Sequence, residues 1–316
     1  MTTLTTRTAA APTTPAPETA KPKRRGAHWA AIAFVIPLVL YLLLFYAYPL
    51  VQNLTMSLHR FDRGTFISGG APFVGLEIYR AVFAHPQFWT IVWQTTVFTA
   101  VSLAFQYLIG LTIAVFFHRG GFRLAAPLRG MFLVPWLLPV IVSGTTWQWM
   151  MNPDAGLLNS FLGLFGADPV WWLSADNALM SVAIANIWLG IPFNLVILYS
   201  GLQGIPKELY EAASMDGATP WQQFWRITLP MLRPVTLITL LLGLVYTLKV
   251  VDIIWIMTMG TGTSQTLATW AYGMSVGKGA SGVIRYSEAS AVGTILLLAA
   301  LAFGLIYIAA QRKQEH

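Results

Sequence analysis

No cysteine occurs among the 316 residues, which excludes disulfides, thiolate metal sites and cysteine nucleophiles together. Charge is scarce as well. Asp, Glu, Lys and Arg make up 10% of the chain, where a soluble domain carries about 25%. Water is therefore not the main solvent. Catalytic signatures are missing too: there is no His-Glu-x-x-His and no Gly-x-Ser-x-Gly,. The nearest approach to a phosphate-binding loop runs from Gly273 to Lys278, but it is one residue short and is followed by Gly279 instead of Ser or Thr,. The five histidines, His28, His59, His85, His118 and His316, are scattered around span ends and termini, where solvated surface roles are expected. No catalytic residue, metal site or cofactor is expected in this chain, and any energy source must be a separate subunit.

What is abundant is apolar sequence, 56% of all residues. A run of about 20 apolar residues is long enough to cross a hydrocarbon core of roughly 30 Å. Such runs extend from Trp29 to Leu50, Phe88 to Phe117, Met131 to Met151, Ala178 to Leu202 and Ala289 to Ala310. A sixth, Val235 to Met259, is interrupted only by Lys249 and Asp252. None alternates with the period of two that a membrane β-barrel requires. The expected fold is all-α, a polytopic membrane protein of about six transmembrane helices spanning residues 28–311.

The net charge of +7 taken alone would suggest a nucleic-acid partner, but the basic residues lie at membrane edges, so lipid and not nucleic acid is the expected partner. Residues 1–27 are rich in Thr, Ala and Pro and close on Lys21, Lys23, Arg24 and Arg25. This composition predicts a disordered cytoplasmic tail ahead of an uncleaved first anchor. With that end inside, Lys and Arg divide 13 to 5 in favour of the cytoplasm, with Lys249 inside the membrane. The stretch from Asn152 to Asn177 holds three aspartates and no basic residue, as an outer loop should,. Both termini are expected to face the cytoplasm, residues 312–316 forming a second short tail.

Between the fourth and fifth runs lies the most informative segment, residues 204–230. Pro206 suits a first helical position, and Lys207 to Met215 forms helix readily and stops at Gly217, which is free to take positive φ,. Thr219, Pro220 and Gln222 then supply an N-cap, a first helical residue and a capping box, and Pro230 is expected to interrupt the chain before the next span,. The order Glu211-Ala212-Ala213, three residues, Gly217, nine residues, Ile227, one residue, Leu229-Pro230 resembles the EAA motif of binding-protein-dependent ABC-importer permeases. Tyr48-Pro49-Leu50, Phe73 to Tyr79, Arg129 to Pro135 and Thr266 to Tyr272 resemble the sugar-permease branch of that family, the one that includes maltose and glycerol-3-phosphate permeases. The resemblance implies a bacterial cell-membrane protein that pairs with a second, homologous permease. It also implies two copies of a cytoplasmic ATPase, which use ATP and Mg, and an extracellular solute-binding protein. Glu208, Glu211, Ala212, Ala213, Asp216 and Gly217 would then lie on a coupling helix-turn-helix that engages the ATPase.

Polar residues within the apolar runs are the candidates for a solute path. Lys249 and Asp252, three positions apart, would share a helix face and pair, which lowers the cost of about 2.5 to 3.5 kcal/mol for a central charge. They fit either a cavity-lining pair that meets cargo hydroxyls or a structural pair, including a bond to the partner permease. Asn186, Trp188, Asn194 and Tyr199, with Tyr246 on the fifth run, combine rings with hydrogen-bonding groups, which suits sugars. The same aromatics fit interfacial anchors, and Asn186 fits helix-to-helix bonding. An ion-coupled secondary transporter is the alternative function. A membrane enzyme is disfavoured by the absence of any clustered nucleophile, base or ligand set.

Overall fold

The computed structural model describes residues 25–119, 125–278 and 282–312. Of the expected tails, residues 1–24 and 313–316 lie outside the described residues. The chain forms two compact units that meet in sequence at Val51 and Gln52.

In the first unit, α1 (Arg25–Leu42) passes through a π-helical turn, Leu43–Ala47, into α2 (Tyr48–Leu58), whose residues from Gln52 onward belong to the second unit. Over Ala33–Leu58 the mean hydropathy is 2.2, enough to cross a membrane. The turn has a cause in the sequence. Pro49 cannot donate a backbone hydrogen bond and its ring crowds the carbonyl four residues back. Widening the helix there, with Tyr48 N–H donating to the Leu43 carbonyl, admits the proline without breaking the run.

The second unit holds the remaining elements. Short segments α3 (Arg63–Ser68) and α4 (Glu77–Phe83) lead into α5 (Phe88–Arg119). The next apolar run is divided into α6 (Ala125–Met131), α7 (Val134–Leu137) and α8 (Val140–Met150). After α9 (Leu157–Gly163) comes α10 (Ala178–Gln203), then α11 (Lys207–Met215), α12 (Pro220–Gln223) and α13 (Leu229–Leu248). The unit ends with α14 (Asp252–Thr258), α15 (Leu267–Ser275) and α16 (Tyr286–Arg312). Among the described residues the sole β-type pairing is an isolated bridge between His59 and Phe73, so the all-α expectation stands. Among the described residues five helices are long and apolar enough to cross a membrane, or six if the bent pair around Pro139 counts as one.

Three sequence-based expectations need correction. The run Met131 to Met151 is not one straight span: Pro127–Leu137 and Val140–Met150 meet at 96°, because Leu138 and Pro139 are extended (ψ 138 and 134) and Pro139 cannot continue the helix before it. The run Val235 to Met259 ends early at Leu248 and restarts at Asp252. Pro230, by contrast, does not interrupt. Pro220–Leu248 is one continuous helical run, in which a second π-helical turn, Phe224–Thr228, immediately precedes Leu229-Pro230, as in the first unit. Leu229 N–H reaches back to the Phe224 carbonyl, and the same widening relieves the same clash.

The bundle is organised by the pairing of α5 with α10, which run parallel. A Cβ at Gly110 would stand 2.6 Å from the Asn194 Cβ, and one at Gly190 would stand 2.2 Å from the Gln106 Cδ. Each helix thus offers a glycine to the other's amide side chain, and small residues permit close approach where lipid supplies no hydrophobic drive. Helix α13 runs antiparallel to α5, tied by a 3.0 Å hydrogen bond between the Tyr107 and Thr236 hydroxyls. Three apolar clusters follow one another through the unit. Phe88, Ile91, Trp270 and Val292 form one, Phe98, Met151, Val182 and Ile254 the next, and Leu111, Leu195, Leu198 and Leu232 the one nearest α11.

Candidate functional site

Two features carry chemistry, an elbow at the α11 end and a cavity at the break after α13. The elbow is built from local sequence. Helix α11 closes in a Schellman motif, with Gly217 N–H donating to the Ser214 carbonyl at 3.0 Å and Ala218 N–H to the Ala213 carbonyl at 2.9 Å. This requires a left-handed residue, and Gly217 supplies it at φ +78,. Helix α12 opens with the capping box read from the sequence. Thr219 N–H donates to Gln222 Oε1 at 2.8 Å, and Gln222 N–H to Thr219 Oγ1 at 3.3 Å. The two arms are then tied together. Tyr210 and Thr228 hydroxyls are 3.0 Å apart, and Gln223 Nε2 donates to Ser214 Oγ at 2.8 Å. Arg119, the last residue of α5, donates to the Pro220 carbonyl at 3.0 Å. The elbow is thus fixed to the bundle on both sides.

Of the residues expected to engage a partner there, Glu208, Glu211, Ala212, Asp216 and Gly217 are exposed and Ala213 is half-buried. Met215 beside them is 89% exposed, a large apolar side chain at the tip that sequence reasoning passed over. Thr219→Ala should remove the cap, which costs about 1 kcal/mol. The expected result is faster hydrogen exchange at the Gln222 amide, by roughly fivefold, with the spans unaffected.

The cavity has a volume of about 350 Å³, at the small end of pockets that hold small molecules. Of the expected path residues, Asn186, Tyr246, Lys249 and Asp252 line it, joined by Gln106, Trp136 and Phe193. Lys249 and Asp252 are not one helical pair, which corrects the sequence reading. Lys249 is the C-cap of α13 (φ −99, ψ 3), and Asp252 stands in the first turn of α14. Free carbonyls at a helix C-terminus favour a cation, and free N–H groups at an N-terminus favour an anion. The break therefore gives each charge its own partner field. Among the described residues the sole ion pair is Arg60 with Glu77, so the two charges are not spent on each other. Both side chains are exposed.

Gln106 is the residue that sequence reasoning missed. It is 4% exposed, and its Nε2 donates to the Asn186 carbonyl at 2.9 Å. Asn186 lines the cavity, and its Nδ2 is buried with no partner among the described residues. A lone amide in an apolar run was the available signal.

The remaining expected residues do not line this cavity. Trp188 packs edge-on against Trp147 of α8 at 6.0 Å. Asn194 is fully buried against α5, its Nδ2 donating to the Gly190 carbonyl at 3.0 Å. Tyr199 lies under the Arg129 guanidinium, 4.4 Å from its ring centre. Helix α10 is apolar on every side, so periodicity did not reveal which face met the cavity. The face that does is Asn186, Leu189, Gly190 and Phe193, at helical spacing.

Helix α14 is anchored at its far end. Met259 takes a left-handed conformation at φ 55. The Lys278 ammonium donates to its carbonyl and lies 4.8 Å from the centre of the Trp255 ring. Burial pushes the Lys278 ammonium below the ordinary lysine range,. No group of three or more metal-ligating side chains occurs among the described residues.

Comparison with known proteins adds a family and a fold. Residues 106–315 match the family described as "Binding-protein-dependent transport system inner membrane component". The trehalose/maltose transport system permease protein of Thermococcus litoralis is 35% identical over 279 residues, 87% of this chain and 90% of that protein. The sulfoquinovosyl glycerol transport system permease protein of Agrobacterium fabrum is 31% identical over 245 residues, covering 76% of this chain and 78% of its own. Among solved structures, a bacterial alginate ABC transporter in complex with an alginate pentasaccharide-bound periplasmic protein contains a chain alike in fold, with a TM-score of 0.79. The two are 22% identical, and the match covers 92% of this chain and 98% of the other.

Proposed function

Because the chain belongs to the family of binding-protein-dependent transport system inner membrane components, we propose that it is the permease subunit of an ATP-driven importer for sugars or sugar-like solutes. The relatives named above are permeases for trehalose/maltose and for sulfoquinovosyl glycerol, and the cavity of this chain offers matching chemistry. Gln106, Asn186 and Tyr246 present amide and hydroxyl groups, Lys249 and Asp252 a donor and an acceptor, and Trp136 and Phe193 apolar faces. Rings cover the C–H side of a pyranose while polar groups bond its hydroxyls.

The observation that carries the coupling half of the proposal is the elbow. Its exposed tip, tied to α5 and continuous with α13, suits a lever pushed from the cytoplasm by a separate ATPase. In this reading the α11 end faces the cytoplasm, with both chain termini on that side and the α9 and α15 segments outside. A second homologous permease completes the path, two copies of a cytoplasmic ATPase use ATP and Mg, and an extracellular solute-binding protein delivers the cargo. Neither the family nor the relatives support ion coupling.

Purification of the tagged chain from its membranes is the direct test. Co-purification of an ATPase that hydrolyses ATP faster when loaded binding protein is added supports the proposal. Solute uptake by the isolated chain, driven by a sodium or proton gradient, overturns it. For the cavity, Lys249→Met should lower uptake about tenfold, the loss of a charge-assisted bond of roughly 1.5 kcal/mol, at an unchanged level of assembled complex. Unchanged uptake would assign Lys249 to structure.

A further inference from the structure

A second and larger depression, about 1030 Å³, lies between α5 and the run from α12 to α13. Its walls are apolar, with Leu108, Leu111 and Trp225 among them, and Arg119 and Arg233 are the charged residues in its lining. Among the described residues no Asp or Glu lines it, and neither arginine belongs to an ion pair. The groove is polarised along its length. One end is closed by the Tyr107–Thr236 hydrogen bond, and the other lies at Arg119 and Pro220, where α5 ends and α12 begins.

From Tyr107 to Arg119 is about 18 Å along a helix, close to the depth of one leaflet, since the whole hydrocarbon core is roughly 30 Å thick. A transmembrane helix of a partner would call for a groove running the full length of the bundle. A crevice one leaflet deep, apolar within and cationic at its mouth, fits an acyl chain with an anionic headgroup. Three aromatic rings stand at the mouth. Trp221 is 68% exposed and Trp225 50% exposed, and both pack on Phe224 at 6.0 and 5.5 Å. Such rings settle at the headgroup level of a bilayer. Arg233 begins roughly 13 Å nearer the closed end than Arg119, counting residues from the Tyr107–Thr236 bond at 1.5 Å each. Side chains on a helix lean toward its N-terminus, which for α13 is the side of the mouth, and a guanidinium there finds a phosphate more favourable than hydrocarbon.

We infer that this groove binds one anionic phospholipid of the cytoplasmic leaflet, its phosphate held by Arg119 and Arg233 and an acyl chain laid between α5 and α13. The choice of leaflet rests on the orientation proposed above; the binding itself does not. Basic clefts between helices on the cytoplasmic side recognise such headgroups by charge. One wall of the groove is the π-helical turn that joins the elbow to α13, so an occupied groove braces the lever at its root.

The test uses the full chain purified from membranes with whatever subunits accompany it, and reads lipid retention by native mass spectrometry. Phosphatidylglycerol and phosphatidylcholine with the same acyl chains are supplied together. The wild type should retain phosphatidylglycerol in preference, and Arg119→Gln/Arg233→Gln should reduce that preference by roughly 25-fold, about fivefold per arginine. Arg119→Lys/Arg233→Lys, which keeps the charge, should retain most of it. Equal retention of the two lipids by the wild type overturns the inference without need of any variant. So does displacement of phosphatidylglycerol by millimolar inorganic phosphate, which would mark a free-anion site. Loss of an accompanying membrane subunit from the glutamine variant, with lipid retention unchanged, would make the groove a protein interface instead. Uptake enters none of these readouts, so the proposed transport function can fail or stand separately.

Discussion

Gly217→Val is expected to reduce solute uptake and substrate-stimulated ATP hydrolysis at least tenfold in the reconstituted transporter, while the chain still inserts and is recovered in normal amount. The reason is confined to the backbone. Gly217 sits at φ +78, and a Cβ there would meet nothing within 4 Å, so crowding plays no part. An L-residue held in the left-handed region costs about 2 kcal/mol, more for a branched side chain, which shifts the local equilibrium against the turn by roughly 30-fold. The Schellman bonds to Ser214 and Ala213 then fail, and with them the direction in which α11 presents Glu211 and Ala212. None of the three apolar clusters includes this turn, which is why assembly should survive. Gly217→Asn is the informative control, because Asn adopts the left-handed region at lower cost and should keep most of the coupling. Glu211→Ala should lose stimulation as well, through the partner contact and not through the turn. Wild-type stimulation in Gly217→Val would remove the elbow from the coupling path.

The elbow was readable because its signals are local. A glycine at the end of α11, a Thr-Pro-x-Gln start to α12 and the spacing from Glu211 to Pro230 each act over a few residues, so one sequence is enough to place them. Long helices were readable for a similar reason, since a membrane demands uninterrupted apolar length. What escaped depends on distant or subtle partners. The break after Leu248 was hidden because Lys249 and Asp252 lie in an otherwise apolar run, and hydropathy does not distinguish charges inside a helix from charges at its ends. Pro230 pointed to an interruption because proline usually ends a helix. Nothing local announced the widened turn at Phe224–Thr228 that absorbs it, although Pro49 follows the same arrangement. Trp188, Asn194 and Tyr199 were grouped with Asn186 by composition. Only the packing of α10 against α5 and α8 separates them, because a helix apolar all round carries no periodic mark of its buried face.

That packing supplies the second large effect, in two glycines whose replacement should fail in different ways. Gly110→Val is expected to abolish recovery of the folded chain. A Cβ at Gly110 would stand 2.6 Å from the Asn194 Cβ and 3.2 Å from the Leu195 backbone nitrogen. Neither is the free end of a flexible side chain, so α5 and α10 would have to separate. Overpacking of a tight core costs about 1 to 3 kcal/mol, and here separation would also disturb the cluster around Leu111 and Leu195. Gly190→Ala meets only the end of the Gln106 side chain, with Cδ at 2.2 Å and Nε2 at 2.4 Å. That amide can swing away, giving up its bond to the Asn186 carbonyl and entering or leaving the cavity as it does so. Recovery of the Gly190→Ala chain should therefore stay near the wild-type level, with uptake several-fold lower and the apparent affinity for solute changed more than the maximal rate. Recovery measured by size-exclusion profile, set beside uptake kinetics, separates the two. If both variants fold and transport alike, the close approach of α5 to α10 does not position the cavity wall, and Gln106 has no part in holding cargo.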